Sequence, residues 1–240
     1  MLNGTVVLVT GAARGIGHEI AEEFAKQGAI VYANDLVMDK VSFCGQIIPL
    51  AFDVTEASSA KNALMKIFKD NGRIDCVVNN AAIIANQKLG MVTRDLLQKM
   101  YAVNVFAVLD IVQMSSRLMA RNGGGSIVNI ASATAVHGSA GQVAYSSSKG
   151  AVISMTKSAA KELAPMGVRV NAVAPGIVKT ERFSELYESD GEKIEGRISR
   201  IPMGRLATAN DIAKACAFLA SDEASYISGQ ILGVDGACIM

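Results

Sequence analysis

Short apolar runs recur along the 240-residue chain, and most are followed by a longer segment whose apolar positions have helical spacing. Runs of this kind, rich in Val, Ile and Leu, are typical of strands that are buried on both faces of a parallel sheet. They predict strands at residues 5–10, 30–34, 47–52, 74–78, 126–131, 168–174 and 230–234.

The longer segments predict helices at residues 18–27, 57–69, 92–121, 143–166 and 209–220. Strands that alternate with such helices indicate an α/β fold, a doubly wound, parallel seven-stranded sheet with helices on both faces. No repeat, low-complexity segment or linker divides the chain. We therefore expect a single domain over residues 1–240.

Residues 177–204 interrupt the alternation. The segment is longer than most connections in compact domains and carries charges of both signs, and loops of this size usually have a function. Because it follows the sixth strand, we expect it to act as a lid over a substrate. A solvated helical excursion without a role is the alternative.

Composition excludes several classes of protein. The formal net charge is +1 with no charged block, which argues against binding to nucleic acid or to an anionic membrane. The four cysteines are widely spaced and there are only two histidines, so no metal site is expected. We see neither a signal peptide nor an apolar run near the ~20 residues of a membrane span, and expect a soluble, cytoplasmic protein with free thiols.

A glycine-rich turn, Gly11-Ala-Ala-Arg-Gly15-Ile-Gly17, joins the first predicted strand to the first helix. In this context glycines let the backbone approach a pyrophosphate, and the helix N-terminus offers free N–H groups. A glycine turn that holds no ligand is the alternative. The candidate coenzyme contacts of this turn are Gly11, Arg14, Gly15, Ile16 and Gly17.

Acidic residues follow the second and third predicted strands. Asp35 lies where a carboxylate accepts hydrogen bonds from both ribose hydroxyls of an adenosine and repels a 2′-phosphate, so it favours NAD over NADP. Arg14 favours NADP more weakly, because a guanidinium can bind that phosphate. Asp53 and Val54 are placed to bind an adenine.

Tyr145 and Lys149 are four residues apart at the start of a predicted helix, so their side chains share one face. A nearby ammonium lowers the pKa of a phenol and suits it to acid–base work. Ser132, at the end of a predicted strand, is placed to donate a hydrogen bond to a carbonyl oxygen. An ordinary surface pair is the alternative interpretation of the Tyr–Lys spacing.

Together these motifs resemble the classical short-chain dehydrogenase/reductase family, in order and spacing over essentially the whole chain. Asn79-Asn80-Ala81 looks like the strand-four motif of that family, and Pro175-Gly176, then Ile177 and Thr180, look like its nicotinamide clamp. The resemblance implies a Rossmann fold with a coenzyme half at about residues 1–130 and a catalytic half at about residues 131–240. It also implies hydride transfer between NAD(P) and a secondary alcohol or ketone, without a metal.

Asn104, Ser132, Tyr145 and Lys149 look like the catalytic tetrad of this family. The resemblance implies that Tyr145 is the general acid or base, that Lys149 lowers its pKa and binds the nicotinamide ribose, and that Ser132 binds the substrate oxygen. Asn104 would hold a water in a proton relay to Lys149. An amide that satisfies a helix kink is the alternative for Asn104, and it is compatible with that relay.

The overall pattern looks closest to the 3-oxoacyl-[acyl-carrier-protein] reductase branch, but with departures. Ala82 stands where glycine is common, and Gly123 and Met166 stand where basic residues typically dock the acidic carrier protein. Arg121, Lys161 and Arg169 are near those positions but not at them. We therefore favour a small hydroxy or keto substrate, with the acyl-carrier-protein reductase as the alternative.

Three further expectations concern the substrate-binding residues, the oligomeric state and the functional class of the protein. The substrate wall is expected to include Thr134, His137 and Gln142 beside Ser132 and Tyr145. Apolar long helices and an apolar C-terminus predict a homotetramer. A nucleotide-binding regulator without turnover is the alternative of another class, although such a chain should lack part of the tetrad.

Overall fold

In the computed structural model, seven parallel strands form one sheet. From one edge to the other, these strands begin at Ile47, Ile30, Val6, Cys76, Gly125, Val168 and Ile231, which is the order β3-β2-β1-β4-β5-β6-β9. The structure describes residues 2–39, 41–181, 183–184, 195–196 and 198–238. The strands are β1 Val6–Thr10, β2 Ile30–Asp35, β3 Ile47–Ala51, β4 Cys76–Asn79, β5 Gly125–Ile130, β6 Val168–Pro175, β7 Val178–Lys179, β8 Ala207–Thr208 and β9 Ile231–Val234. The two-residue strands β7 and β8 pair with each other outside this sheet.

Helices cover both faces of the sheet. One hydrophobic cluster joins α1 and α7 to the sheet through residues such as Phe24 and Ile212, and a second joins α2, α4 and α6 through Leu64 and Ile111. The doubly wound seven-stranded prediction is therefore confirmed. The helices are α1 Gly15–Lys26, α2 Ala57–Asn71, α3 Arg94–Tyr101, α4 Ala107–Ala120, α5 Ala133–His137, α6 Val143–Leu163 and α7 Ala209–Ala220.

The central strands are apolar at successive positions because each face of the sheet meets a different helical layer. In β1, Val7 and Val9 belong to the cluster with α1 and α7, whereas Val6 and Leu8 belong to the cluster on the other face. The edge strand β3 differs: it contains Pro49 and is more exposed. Proline is tolerated there because an edge strand leaves part of its backbone unpaired.

The predicted helix at residues 92–121 is interrupted. One turn of π-helix, Ala102–Phe106, separates α3 from α4 and contains Asn104. The short helix α5 was not predicted, because one turn of Ala-Thr-Ala-Val-His carries no helical periodicity. Helix α1 begins at Gly15, three residues earlier than predicted, so Gly17 lies within its first turn.

Taken together, α3, the π turn and α4 form the helical segment Arg94–Ala120, which is long and apolar enough, by length and composition alone, to cross a membrane. Polar residues, among them Asn104, Asp110 and Arg117, interrupt the segment, so it is not an uninterrupted apolar run of that length. In addition, 56% of its apolar window is buried inside the protein, where α4 packs against α2 and the sheet. Its apolar character is accounted for by core packing.

The ends of the predicted lid are anchored. Val178 and Lys179 pair in parallel with Ala207 and Thr208, which brings the two ends of residues 177–204 together. Thr208 is the N-cap of α7: its side chain accepts from the Asp211 backbone N–H, and the Asp211 side chain accepts from the Thr208 backbone N–H. Residues 182, 185–194 and 197 lie outside the described residues, so the lid stays a prediction.

Candidate active site

A cleft of about 380 Å³ opens where β1, β2 and β4 end. This is the edge at which ligands bind in open parallel sheets, outside the carboxyl ends of the strands. It brings together most of the coenzyme residues predicted from sequence and two of the catalytic ones. Those lining it are Gly11, Arg14, Gly15, Ile16, Gly17, Asp35, Asp53, Val54, Asn80, Ala81, Tyr145, Lys149 and Thr180.

At Gly11 and Gly17 the glycine turn is folded too tightly for a side chain. A Cβ on Gly17 would collide with the Gly11 carbonyl and the Asn80 amide, and Gly11 has φ +66 with a Cβ position 2.8 Å from Ala81 Cα. Asn80 fixes the turn by donating from Nδ2 to the carbonyls of Thr10 and Gly11, both at 2.9 Å. The Asn80 side chain therefore supports the coenzyme turn from behind.

The N-terminus of α1 faces this turn without a side-chain cap. The N-cap residue Arg14 makes no capping hydrogen bond, and the first turn holds no acidic residue. Its backbone N–H groups and the positive end of the helix dipole are therefore available to an anion. A pyrophosphate fits this combination of free donors and close backbone approach.

Asp35 is held at the end of β2 by two backbone donors. Oδ2 accepts from Ala13 N at 3.1 Å and Oδ1 accepts from Leu36 N at 2.8 Å. A carboxylate has about four acceptor positions, so each oxygen keeps a lone pair for a further donor. The geometry suits a carboxylate that binds two neighbouring hydroxyls.

The segment after β3 is held beside Asp35 by Asn34. The buried Asn34 amide donates to the carbonyls of Leu50 at 3.1 Å and Phe52 at 2.9 Å. Asp53 Oδ1 then accepts from the backbone N–H and the hydroxyl of Thr55. These contacts set Asp53 and Val54 at the same end of the cleft as Asp35.

Tyr145 and Lys149 lie on α6 at the other end of the cleft and are 8% and 1% exposed. The Lys149 ammonium donates to the Ile130 carbonyl at 2.6 Å, at the end of β5. Burial lowers the pKa of Lys149 from 10.5 to about 8, because an ammonium loses its hydration inside the protein. Near neutral pH the group is therefore mainly a buried cation, one helical turn from the phenol.

Ser132 is the N-cap of α5 and is 8% exposed. Its Oγ accepts from Thr134 N at 3.2 Å and lies 3.0 Å from Thr134 Oγ1. Ser146, the residue after Tyr145, donates from Oγ to the Thr134 carbonyl at 2.7 Å. The strand end that bears Ser132 is thus tied directly to the helix that bears Tyr145.

Asn104 lies behind the cleft, with its side chain fully buried in the π turn. Oδ1 accepts from Ile83 N at 2.8 Å, and Nδ2 donates to Ile83 O at 2.9 Å and to Ser148 Oγ at 3.0 Å. Its amide therefore joins the segment after β4 to the catalytic helix. This is the kink-satisfying arrangement; the water relay to Lys149 stays a prediction.

Several predicted residues do not line the cleft. Pro175, Gly176 and Ile177 stand at the end of β6, where Gly176 N donates to Val234 O. His137 is exposed at the end of α5, and Gln142 donates to Asn86 Oδ1 at 2.7 Å. Their assigned roles in coenzyme or substrate binding stay predictions.

The cleft also has walls that were not assigned from sequence. Leu36 and Ile83 follow strands β2 and β4, so their position after a strand end could have revealed them. Val103 comes from the π turn, far away in the chain, and no local pattern indicates it. The unassigned lining residues are Asn34, Leu36, Phe52, Ala82, Ile83, Ile84, Val103, Ile130 and Glu181.

A larger groove of about 770 Å³ lies near the amino ends of the strands, lined by residues such as Gly124, Gly167 and Arg169. Arg169 is committed there, since its guanidinium donates to the carbonyls of Leu219 at 2.7 Å and Ser221 at 3.1 Å. The groove lacks the glycine turn and the Tyr–Lys pair. Size alone therefore does not identify the active site.

Within the described ranges, no three His, Cys, Asp or Glu residues are grouped for a metal ion.

Known proteins resemble this chain along nearly its full length. Residues 11–237 match a family described as Enoyl-(Acyl carrier protein) reductase. The chain is 39% identical to 3-oxoacyl-[acyl-carrier-protein] reductase FabG from Thermotoga maritima, covering 100% of this chain and 99% of the relative. It is 36% identical to 3alpha-hydroxysteroid dehydrogenase from Mediterraneibacter gnavus, covering 99% and 98%. A crystal structure assigned as a short-chain alcohol dehydrogenase from Sinorhizobium meliloti 1021 superposes with a TM-score of 0.91 at 31% identity, covering 98% and 96%.

Replacing the buried cation should change how stability depends on pH. Below about pH 8, Lys149 is protonated in both the folded and the unfolded state, and its buried charge destabilises the folded state. Between about pH 8 and 10.5, Lys149 is neutral in the folded state but still protonated in the unfolded state. The free energy of unfolding should therefore rise with pH in this window, by up to roughly 1.4 kcal/mol per unit. Lys149→Met should lack this component in urea unfolding at a series of pH values.

The exposed Lys157 on the same helix provides the control. Lys157→Met should keep the pH slope of the wild type. Equal slopes in the wild type and in Lys149→Met would contradict the assignment of a buried cation to Lys149.

Proposed function

Because this chain belongs to the classical short-chain dehydrogenase/reductase family, we propose that it interconverts a small secondary alcohol and its ketone with NAD(H), using Tyr145 as general acid or base. Relatives in this family are oxidoreductases that act on alcohol or keto groups, and the family generally uses NAD(P). The observation that carries the proposal is the buried pair of Tyr145 and Lys149 at one end of a cleft that has Asp35 at the other.

The proposed chemistry is a proton transfer coupled to a hydride transfer. The chemistry that a nicotinamide coenzyme would supply when bound in this cleft is the transfer of a hydride to or from the substrate carbon. Tyr145 gives its phenolic proton to the carbonyl oxygen during reduction and takes the hydroxyl proton during oxidation. The buried Lys149 cation, one helical turn away, would stabilise the phenolate form of Tyr145. Ser132 donates a hydrogen bond to the same substrate oxygen, where negative charge develops.

The coenzyme would lie along the cleft. The glycine turn and the uncapped N-terminus of α1 would hold the pyrophosphate, and Asp53 with Val54 would bind the adenine. Asp35 would accept from the adenosine ribose hydroxyls with the oxygens that Ala13 and Leu36 hold in place. The 2′-phosphate of NADP would be repelled by this fixed carboxylate, and Arg14 is the residue whose positive charge would offset that repulsion.

The choice between a small alcohol and a carrier-bound acyl group rests on surface charge. The Arg169 guanidinium is committed to the backbone at the end of α7 and is unavailable to an acidic carrier protein. Gly123 and Met166 carry no charge, and the exposed Arg121 and Lys161 are near those two positions but not at them. A small hydroxy or keto substrate is therefore favoured. The 3-oxoacyl-[acyl-carrier-protein] reductase is the second candidate, supported by the 39% identity to a relative of that name.

Assembly and compartment are part of the proposal. Phe106 and Leu109 near the start of α4 are 59% and 42% exposed, and Phe218 on α7 and Leu232 on the edge strand β9 are 39% and 37% exposed. Two separate apolar surfaces of this kind support a homotetramer, which needs two interfaces. The four cysteines are free thiols, three of them buried, which supports a reducing cytoplasm.

Tyr145→Phe removes the phenolic proton and keeps the ring. We expect kcat to fall by ~10²–10⁴-fold, the usual range for a positioned acid or base. Affinity for NADH, measured by calorimetry, should be unchanged. Turnover should be followed with three probes, namely sorbitol, a 3α-hydroxysteroid and acetoacetyl-N-acetylcysteamine. Tyr226→Phe, at a fully exposed position, is the control and should keep the kcat of the wild type. Retained turnover in Tyr145→Phe would refute the mechanism.

Asp35→Ala removes the carboxylate that would accept from the ribose. The affinity for NADH should fall about tenfold or more, the size of charge-assisted hydrogen bonds, while the affinity for NADPH should rise. Asp39→Ala removes an exposed charge beyond the same strand and should leave the preference as in the wild type. An unchanged NADH-to-NADPH ratio in Asp35→Ala would show that another residue determines selectivity.

Light scattering at micromolar concentration should give the mass of four 25.1 kDa chains. Leu109→Asp places a charge on one of the two apolar surfaces and should yield a smaller species, because a buried unpaired charge is costly. A monomeric wild type would count against the proposed assembly.

A further inference from the structure

Thr134 contacts Ser132 through two of its atoms, its backbone nitrogen and its hydroxyl. The Thr134 N–H donates to Ser132 Oγ at 3.2 Å, and the two hydroxyl oxygens are 3.0 Å apart. The distance between the hydroxyls does not reveal which of them donates. Thr134 was expected to be part of the substrate wall, yet its hydroxyl is within bonding distance of the residue that would bind the substrate oxygen.

We propose that Thr134 is a positioning residue that donates its hydroxyl proton to Ser132 and thereby directs the Ser132 proton at the substrate oxygen. The inference rests on the proposed function, in which Ser132 is a hydrogen-bond donor to substrate. It replaces a direct contact between Thr134 and substrate with an action through Ser132.

The numbers of protons and lone pairs on Ser132 Oγ favour this direction. A serine hydroxyl has one proton to donate and two lone pairs with which to accept. One lone pair of Ser132 Oγ takes the Thr134 N–H, as the N-cap of α5. If Ser132 gave its proton to Thr134, none would remain for the substrate. If Thr134 donates instead, both lone pairs are occupied and the Ser132 proton stays free for the substrate oxygen.

The backbone on both sides of the Ser132–Thr134 pair is held in place by further hydrogen bonds. Ser146 Oγ donates to the Thr134 carbonyl at 2.7 Å, and Ala135 N donates to the Ser132 carbonyl at 3.0 Å. Ser146 follows Tyr145 on α6, so this hydrogen bond connects the Ser132–Thr134 pair to the helix that carries Tyr145. The Thr134 hydroxyl therefore meets Ser132 without a large loss of side-chain freedom.

A double-mutant cycle separates this role from a structural one. Thr134→Val is nearly isosteric, keeps the backbone N–H and removes only the hydroxyl. We expect it to lower kcat about three- to tenfold, the effect of one neutral hydrogen bond, with KM and the affinity for NADH unchanged. Thr134→Ser restores the hydroxyl and should recover kcat to within about twofold of the wild type. Assays use whichever of the three named probes the wild type turns over fastest.

The same substitution is then made in a Ser132→Ala background. If Thr134 acts through Ser132, adding Thr134→Val to Ser132→Ala should change kcat by less than about twofold, because the two effects are coupled. An equal loss in both backgrounds would overturn the proposal, as would failure of Thr134→Ser to recover kcat.

An unchanged or higher kcat in Thr134→Val would also overturn it, because Ser132 would then be the donor of the pair. These results are independent of Tyr145→Phe, which tests the proposed function itself. The Thr134 cycle can fail while the Tyr145 result stands.

Discussion

The buried ammonium of Lys149 constrains this site more than any other group does. A charge removed from water costs several kcal/mol unless polar partners replace its hydration. Here the Ile130 carbonyl at the end of β5 accepts from the ammonium. The ammonium must therefore lie at the carboxyl edge of the sheet, and Tyr145, one helical turn earlier, must lie at the mouth of the cleft beside it.

Other buried polar contacts hold α6 in the register that this requires. Asn104 reaches Ser148 from the π turn, and Asn129 of β5 donates to Thr156 at 2.9 Å. Because buried amides and hydroxyls must be paired, sliding the helix along the sheet would break these bonds together. At the other end of the cleft, Asn34 and the two donors to Asp35 fix in the same manner the side at which the adenosine is proposed to bind. The coenzyme cleft is thus preformed between two rigid ends.

Much of this could be predicted from the sequence, and the reasons are local. The central strands are apolar at successive positions because both faces are buried, and glycine stands at positions 11 and 17 because no side chain fits there. The remainder depended on contacts between distant segments. Val103 enters the cleft through a π turn, and Gln142 is paired with Asn86 across two loops. The short helix that places Thr134 against Ser132 has too few residues to show a period.

Calorimetric titration of the purified wild type with NADH and with NADPH is the first test of the proposal that this chain is an NAD(H)-dependent oxidoreductase. We expect saturable binding of NADH and weaker binding of NADPH, because the carboxylate held at the end of β2 would repel a 2′-phosphate. Tighter binding of NADPH would contradict the assigned selectivity and make Arg14 the deciding residue. Binding of neither nucleotide would contradict the enzyme assignment itself.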